Sequence, residues 1–299
     1  MDVELPSVTV VHGSSPGPTV GVLGGVHGDE YEGVLAATAV AQMVRARLTA
    51  GTVRVAAPAN PAAWAARSRR SPLDGADLAR AFPGRPGGTA TEQVAHALTE
   101  QVMRGADLVI DLHSGGSGFA MPFLCGYQDD GEQDTAAGRY ADAFAATFTW
   151  RHEGPPPPGR SLSAAAELRI PAIYVEGHGG LSIRAGELHG YVDGVRRVLH
   201  LLGMVADAPP AAHRPVRVRG DGNTDTGITT ALAGYLVTHR EVGCAVGRGD
   251  VIAQVVDVDA TLLGDVVAPT DGVVMLRRRD ARVSAGDTVC IVAPPDAAP

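Results

Sequence analysis

Short apolar runs alternate with longer Ala-rich segments along the first two thirds of the chain, and then the alternation stops. Val8–Val11, Thr19–Leu23, Val53–Ala57, Leu108–Leu112 and Ala172–Val175 read as strands. Tyr31–Leu48, Thr91–Met103, Ala136–Phe148, Leu162–Leu168 and Tyr191–Leu202 read as helices. Strands separated by helices run mostly parallel, because a helical crossover brings the chain back to the same end of the sheet. The expected fold class is α/β, a mixed, mostly parallel sheet with helices on both faces. Reactive side chains are then expected where strand ends meet loops.

The Pro- and Ala-rich stretch Ala206–Pro215 reads as a linker. Beyond it, short strands at Tyr235–Thr238, Val251–Val256, Gly264–Ala268, Gly272–Leu276 and Thr288–Val292 are punctuated by Gly-Asp turns. This divides the chain into a domain at 1–205, a linker at 206–212 and a small all-β domain at 213–299. The β unit resembles the barrel-sandwich hybrid of biotinyl and lipoyl carriers. A carrier needs a lysine at its hairpin tip, and all 25 basic residues here are Arg. The unit is therefore expected to be structural, or a lid over a site. The missing lysine also excludes Schiff-base chemistry, Walker A phosphate loops and Ser–Lys nucleophiles.

A net charge of −8 argues against a nucleic-acid or anionic-membrane surface, and 4% aromatic residues leave little for base stacking. Cys125, Cys244 and Cys290 are far apart and form no CxxC, so neither a disulfide framework nor a cysteine zinc knuckle is expected. The acidic start Met1-Asp2-Val3-Glu4 lacks the order of a signal peptide, and a cytoplasmic protein is expected.

Four clusters carry chemistry. Gly24-Gly25-Val26-His27-Gly28-Asp29-Glu30 lies between a strand and a helix, and the three-residue spacing lets His27 and Glu30 face one side as metal ligands. Alternatively, its acids complement the dipole of the following helix. Asp107–Gly116 is a buried strand that delivers His113 at its end, with Asp111 on the same face to orient the ring. In Ile173-Tyr174-Val175-Glu176-Gly177-His178, Glu176 can serve as a general base, because burial raises a carboxyl pKa. Finally, Arg67, Arg69, Arg70 and Arg80 fall within fourteen residues, where they can clamp a carboxylate, polarise a carbonyl or form a solvated basic loop.

In order and spacing these clusters resemble the succinylglutamate desuccinylase and aspartoacylase family, within the zinc carboxypeptidase superfamily. The shared pattern runs Gly-x-His-Gly-Asp-Glu, Asn-Pro, Asp-Gly-x-Asp-Leu-x-Arg-x-Phe-Pro-Gly, Asp-Leu-His and Val-Glu-x-x-Gly-Gly, followed by the β-rich unit. The resemblance implies one zinc per chain on His27, Glu30 and His113, and Glu176 as general base. It also implies that Arg69 polarises the scissile carbonyl and Arg80 binds the substrate carboxylate. Asn60 is taken with Arg80 as a substrate-binding residue; His178, a departure from the family's loop, is taken as a further substrate-binding candidate, with a donor behind the site and a bystander as its alternatives. The implied activity is hydrolysis of a small N-acyl amino acid or amine, and a homodimer is compatible with it.

Where the family reads Asp-Leu-Asn-Arg, this chain has Asp77-Leu78-Ala79-Arg80. The lost amide removes a contact to a charged oxygen worth about 1.5–3 kcal/mol. Two rival readings keep the same scaffold: a zinc carboxypeptidase acting on peptides, and a binding protein without catalysis.

Overall fold

The computed structural model of the chain describes residues 3–129 and 135–296. Met1 and Asp2 of the acidic start lie outside the described residues. In the first two thirds the elements are β1 (Val8–His12), β2 (Ser15–Gly24), α1 (Tyr31–Arg47), β3 (Ala50–Ala56) and α2 (Pro61–Ala66). These are followed by α3 (Ala90–Leu98), β4 (Leu108–Ser114), β5 (Phe119–Ala120), β6 (Leu124–Gln128), α4 (Ala136–Phe144) and β7 (Phe148–His152). The series ends with α5 (Ser161–Glu167), β8 (Ala172–Gly177), α6 (Ala185–Leu201) and β9 (Val216–Gly220).

The large sheet has the order β1-β3-β2-β4-β8-β6-β7-β9. Its pairs β3/β2, β2/β4, β4/β8, β6/β7 and β7/β9 are parallel, and β1/β3 and β8/β6 are antiparallel. The mixed, mostly parallel α/β sheet is thus present as expected. Helices α1, α4 and α6 pack on one face through Val40, Phe144 and Val195, against Val22, Ile110 and Val175 of the sheet. Helices α3 and α5 pack on the other through Leu98 and Ala164, against Leu23, Ala56 and Val109.

Strand β4 is buried along its whole length. Its period-two alternation sends Leu108, Ile110 and Leu112 to the first face, and Val109, Asp111 and His113 to the second. Each of those three aliphatic side chains is fully buried and contributes about 1.5–3 kcal/mol, which anchors the polar strand end.

The C-terminal unit contains β10 (Ile228–Thr229), β11 (Gly234–Thr238), β12 (Ala245–Val246), β13 (Val251–Val256), β14 (Leu262–Val267), β15 (Gly272–Arg278), β16 (Arg282–Val283) and β17 (Thr288–Ala293). These strands form two antiparallel sheets, β10-β17-β15-β12 with β5 added against β15, and β14-β13-β11-β16. Ile252, Val266, Val274 and Val289 fill the space between them. A further apolar cluster, including Leu124, Trp150, Val218, Met275 and Leu276, fastens the unit to the large sheet.

Three expectations need correction. Strand β9 falls inside the expected 213–299 unit, yet it pairs with β7 and completes the large sheet. Composition marks a linker but carries no information about hydrogen-bond register. The expected helix Ala136–Phe148 ends at Phe144, where Ala145 turns left-handed (φ 56°), and Phe148 opens β7. Strand β6 was not anticipated; its run Leu-Cys-Gly-Tyr-Gln is short and carries a central glycine. No helix among the described residues is long and apolar enough to cross a membrane.

Candidate active site

The site lies at the C-terminal ends of β2, β4 and β8, three adjacent parallel strands. His113 and Glu176 are register partners across β4 and β8, so both side chains face the same way. Gly24 pairs with Leu112, which places His27 three residues past the end of β2, beside His113. The His27 loop docks closely on α2: a Cβ at Gly28 would stand 2.0 Å from the Ala63 carbonyl. The Gly28 N–H donates to the Ser68 carbonyl at 3.0 Å.

Glu30 lies between the two rings, with Oε1 2.6 Å from His27 Nδ1 and Oε2 2.8 Å from His113 Nδ1. The opposite ring nitrogens also meet carboxylates: His27 Nε2 is 3.0 Å from Asp77 Oδ1, and His113 Nε2 is 2.9 Å from Asp111 Oδ2. Asp111 is held in turn by the Ser161 hydroxyl at 2.5 Å, and the Tyr191 hydroxyl donates to the His113 carbonyl. Glu32, also buried, accepts from the Ser114 hydroxyl and the Gly179 N–H and so ties the ends of β4 and β8 together.

Burial by itself raises the Glu30 pKa, but the charges and hydrogen bonds of His27 and His113 hold it well below the carboxylate range. Burial likewise opposes the charged form of His113, and Asp111 and Glu30 outweigh it, raising its pKa well above the ordinary value. Once Nε2–H of each ring donates to its aspartate, a neutral imidazole turns an Nδ1 lone pair toward a Glu30 oxygen. Two acceptor pairs at these separations repel unless a cation joins them. The three ligand atoms lie within 4.8 Å of one another. The residues therefore fit a divalent metal of the borderline kind that imidazole and carboxylate bind.

Glu176 is partly exposed, and its Oε2 is buried without a hydrogen-bond partner. Burial, followed by the neighbouring charge of Glu30, pushes its carboxyl up to about 8. Arg69 lies 3.2 Å from Asp77 and 3.5 Å from Glu30, and it keeps 43% of its side chain exposed. All of these line a cleft of about 710 Å³ together with Ala79, Arg80, Arg160 and Tyr174. The C-terminal unit supplies one wall through Asp221, Gly222, Thr224, Asp225, Leu276, Arg278 and Gly286–Thr288.

Two expected substrate contacts take other positions. Asn60 caps α2, accepting from the Ala63 N–H at 3.3 Å, and its amide donates to the Val26 carbonyl. It holds the His27 loop and lies outside the cleft lining. His178 follows the end of β8, where Gly179 turns at φ 73°. Its N–H donates to Glu187, and its carbonyl accepts from Arg279. It too lies outside the lining, because the chain turns away one step after Glu176 has faced the cleft.

Sequence reasoning assigned no role to Asp77, Arg160, His152 or Tyr174. Tyr174 shares the exposed face of β8 with Glu176. Its hydroxyl is 2.8 Å from His152 Nε2, and His152 Nδ1 is 3.0 Å from the Gly220 carbonyl. Gly126 on β6 makes room for the phenol ring, since a Cβ there would stand 2.1 Å from it. The available signal was the period-two spacing of Tyr174 and Glu176.

Fold and site together define a mixed α/β protein with a His–Glu–His group at its strand ends that could hold a metal ion. Residues 16–202 match the Succinylglutamate desuccinylase/Aspartoacylase catalytic domain, and the chain belongs to that family. It is 32% identical to the N-alpha-acetyl-L-2,4-diaminobutyric acid deacetylase of Halomonas elongata, covering 97% of this chain and 86% of the relative. Among solved structures, a succinylglutamate desuccinylase/aspartoacylase from Rhodobacter sphaeroides superposes with a TM-score of 0.87 and 26% identity. That match covers 97% of this chain and 89% of the other. The product-bound ectoine utilization protein EutE (DoeB) from Ruegeria pomeroyi gives 0.86 and 28%, covering 97% and 93%.

Proposed function

We propose that this chain is a zinc-dependent deacylase that hydrolyses the N-acyl amide of a small amino acid. The reading is carried by Glu176, a carboxylate with one oxygen left unpartnered, lining the same cleft as His27, Glu30 and His113. His27, Glu30 and His113 would hold zinc, which supplies a Lewis acid that lowers the pKa of water toward about 7 and polarises a carbonyl. Glu176, with its raised pKa, accepts a proton from the attacking water and delivers it to the leaving amine nitrogen. The C–O bond forms first, and the C–N bond breaks once nitrogen has received that proton; the second proton of the water follows to the amine, giving a carboxylate and an ammonium. Arg69 donates to the carbonyl oxygen as negative charge develops there. Arg80 holds the carboxylate of the amine half.

The diaminobutyrate deacetylase relative supports an Nα-acetyl diamino acid as the substrate to test first. Action on long peptides is disfavoured by the C-terminal wall along one side of the cleft. The test is a release assay on zinc-loaded protein with N-acetyl and N-succinyl amino acids, N-acetylated diamino acids and short peptides. Zinc-dependent release of acetate from the small substrates is expected. Cleavage confined to peptides would transfer the chain to the carboxypeptidase reading.

A further inference from the structure

The C-terminal unit brings a carboxylate up to the cleft's arginines. The turn Thr224–Thr226 sets Asp225 Oδ2 3.5 Å from Arg80 Nη2 and 3.9 Å from Arg160 Nη2. Beside it, Asn223 Oδ1 accepts from Arg160 at 2.9 Å. The turn is braced from within: Asp221 accepts from the Asn223 N–H and the Thr226 hydroxyl, and Asn223 Oδ1 accepts from the Asp225 N–H. Asp225 is therefore held in place, yet 65% of its side chain remains exposed.

The cleft's arginines differ in how far they are already engaged, and Arg70 donates to the Gly75 carbonyl at 3.1 Å. Arg69 is engaged by Asp77 and Glu30, and Arg278 by Asp287 at 3.3 Å. Arg80 and Arg160 carry two positive charges, and Asp225 offsets one of them. What remains suits a single substrate carboxylate. A second carboxylate on the amine half would meet Asp225 and be repelled, whereas a neutral group is tolerated and an ammonium is attracted.

We infer that Asp225 is a specificity-determining residue. It selects N-acyl amino acids whose amine half carries one carboxylate and a neutral or cationic side chain, and it rejects dicarboxylic ones. The inference rests on the deacylase reading for the identity of the substrates, and on the Arg80–Asp225–Arg160 geometry for the selection.

The test measures binding of the amine products by calorimetry, on zinc-loaded native protein, Asp225→Asn and Asp225→Glu. The ligands are 2,4-diaminobutyrate and aspartate. Native protein should bind diaminobutyrate more tightly. Asp225→Asn should shift the ratio of the two Kd values toward aspartate by about tenfold, because removing the charge weakens the cation and relieves the anion together. Asp225→Glu should restore the native order, which a merely structural turn residue would not do. An unchanged ratio in Asp225→Asn, or native protein that binds neither ligand, overturns the inference. A shifted ratio in a protein that releases no acyl group keeps Asp225 as the selector and removes the deacylase reading instead.

Discussion

Nε2 of His113 lies 2.9 Å from Oδ2 of Asp111, two residues earlier on the same strand. Successive side chains of a strand alternate in direction, so residues two apart lean together, and the ring is held by its own strand. His27 achieves the same end through Asp77, at 3.0 Å. Burial opposes the charged form of Asp77, but the hydrogen bond and charge of His27, then Arg69 and Arg80, hold its pKa well below the carboxylate range. Both rings thus turn Nδ1 toward Glu30.

Asp111→Asn should leave a folded protein that binds zinc about 10–100-fold more weakly, the usual effect of losing the carboxylate that orients a ligand histidine. Competition against a chelator of known affinity measures it. Zinc affinity equal to native would show that Asp111 has no part in orienting His113.

Glu176→Gln should keep zinc and substrate affinity while kcat falls by about 10²–10⁴, the range for a removed general base. The amide retains the shape but cannot take a proton from water. Turnover close to native would place the base elsewhere in the cleft.

Ala79 lines the cleft next to Arg80, and its N–H donates to Asp77 at 2.9 Å. Ala79→Asn restores a donor to the substrate carboxylate. It should raise kcat/KM for N-acyl amino acids relative to their C-terminal amides by about tenfold or more, given about 1.5–3 kcal/mol for a hydrogen bond to a charged oxygen. The comparison needs both substrate classes on both proteins, and a constant ratio contradicts it.

Stability should fall with acid through His152. Burial lowers its pKa from 6.5 to about 4, so the folded protein refuses a proton that the unfolded chain accepts. The contribution is complete above about 6.5 and is lost as pH drops toward about 4, amounting to on the order of 3 kcal/mol. Urea unfolding of native protein and His152→Gln at several pH values isolates the effect as the difference between them. A difference that stays flat between pH 7 and pH 4 rules it out.

Much of this was legible in the chain itself. The alternation of apolar runs and helical segments specifies an α/β sheet, because each period encodes which face a residue buries. The Leu108–His113 strand reads correctly down to the shared face of Asp111 and His113, since that relationship spans two residues. The spacing of His27 and Glu30 is equally local. What only the tertiary structure decided lies in contacts between distant segments. Asp77 reaches His27 across fifty positions, β9 joins the large sheet from beyond the linker, and Asp225 arrives at Arg80 from the C-terminal unit. The same packing makes Asn60 a helix cap and carries His178 away from the cleft. Local pattern determines what a residue can bury or cap, whereas its partner depends on which loops close and in which register the strands pair.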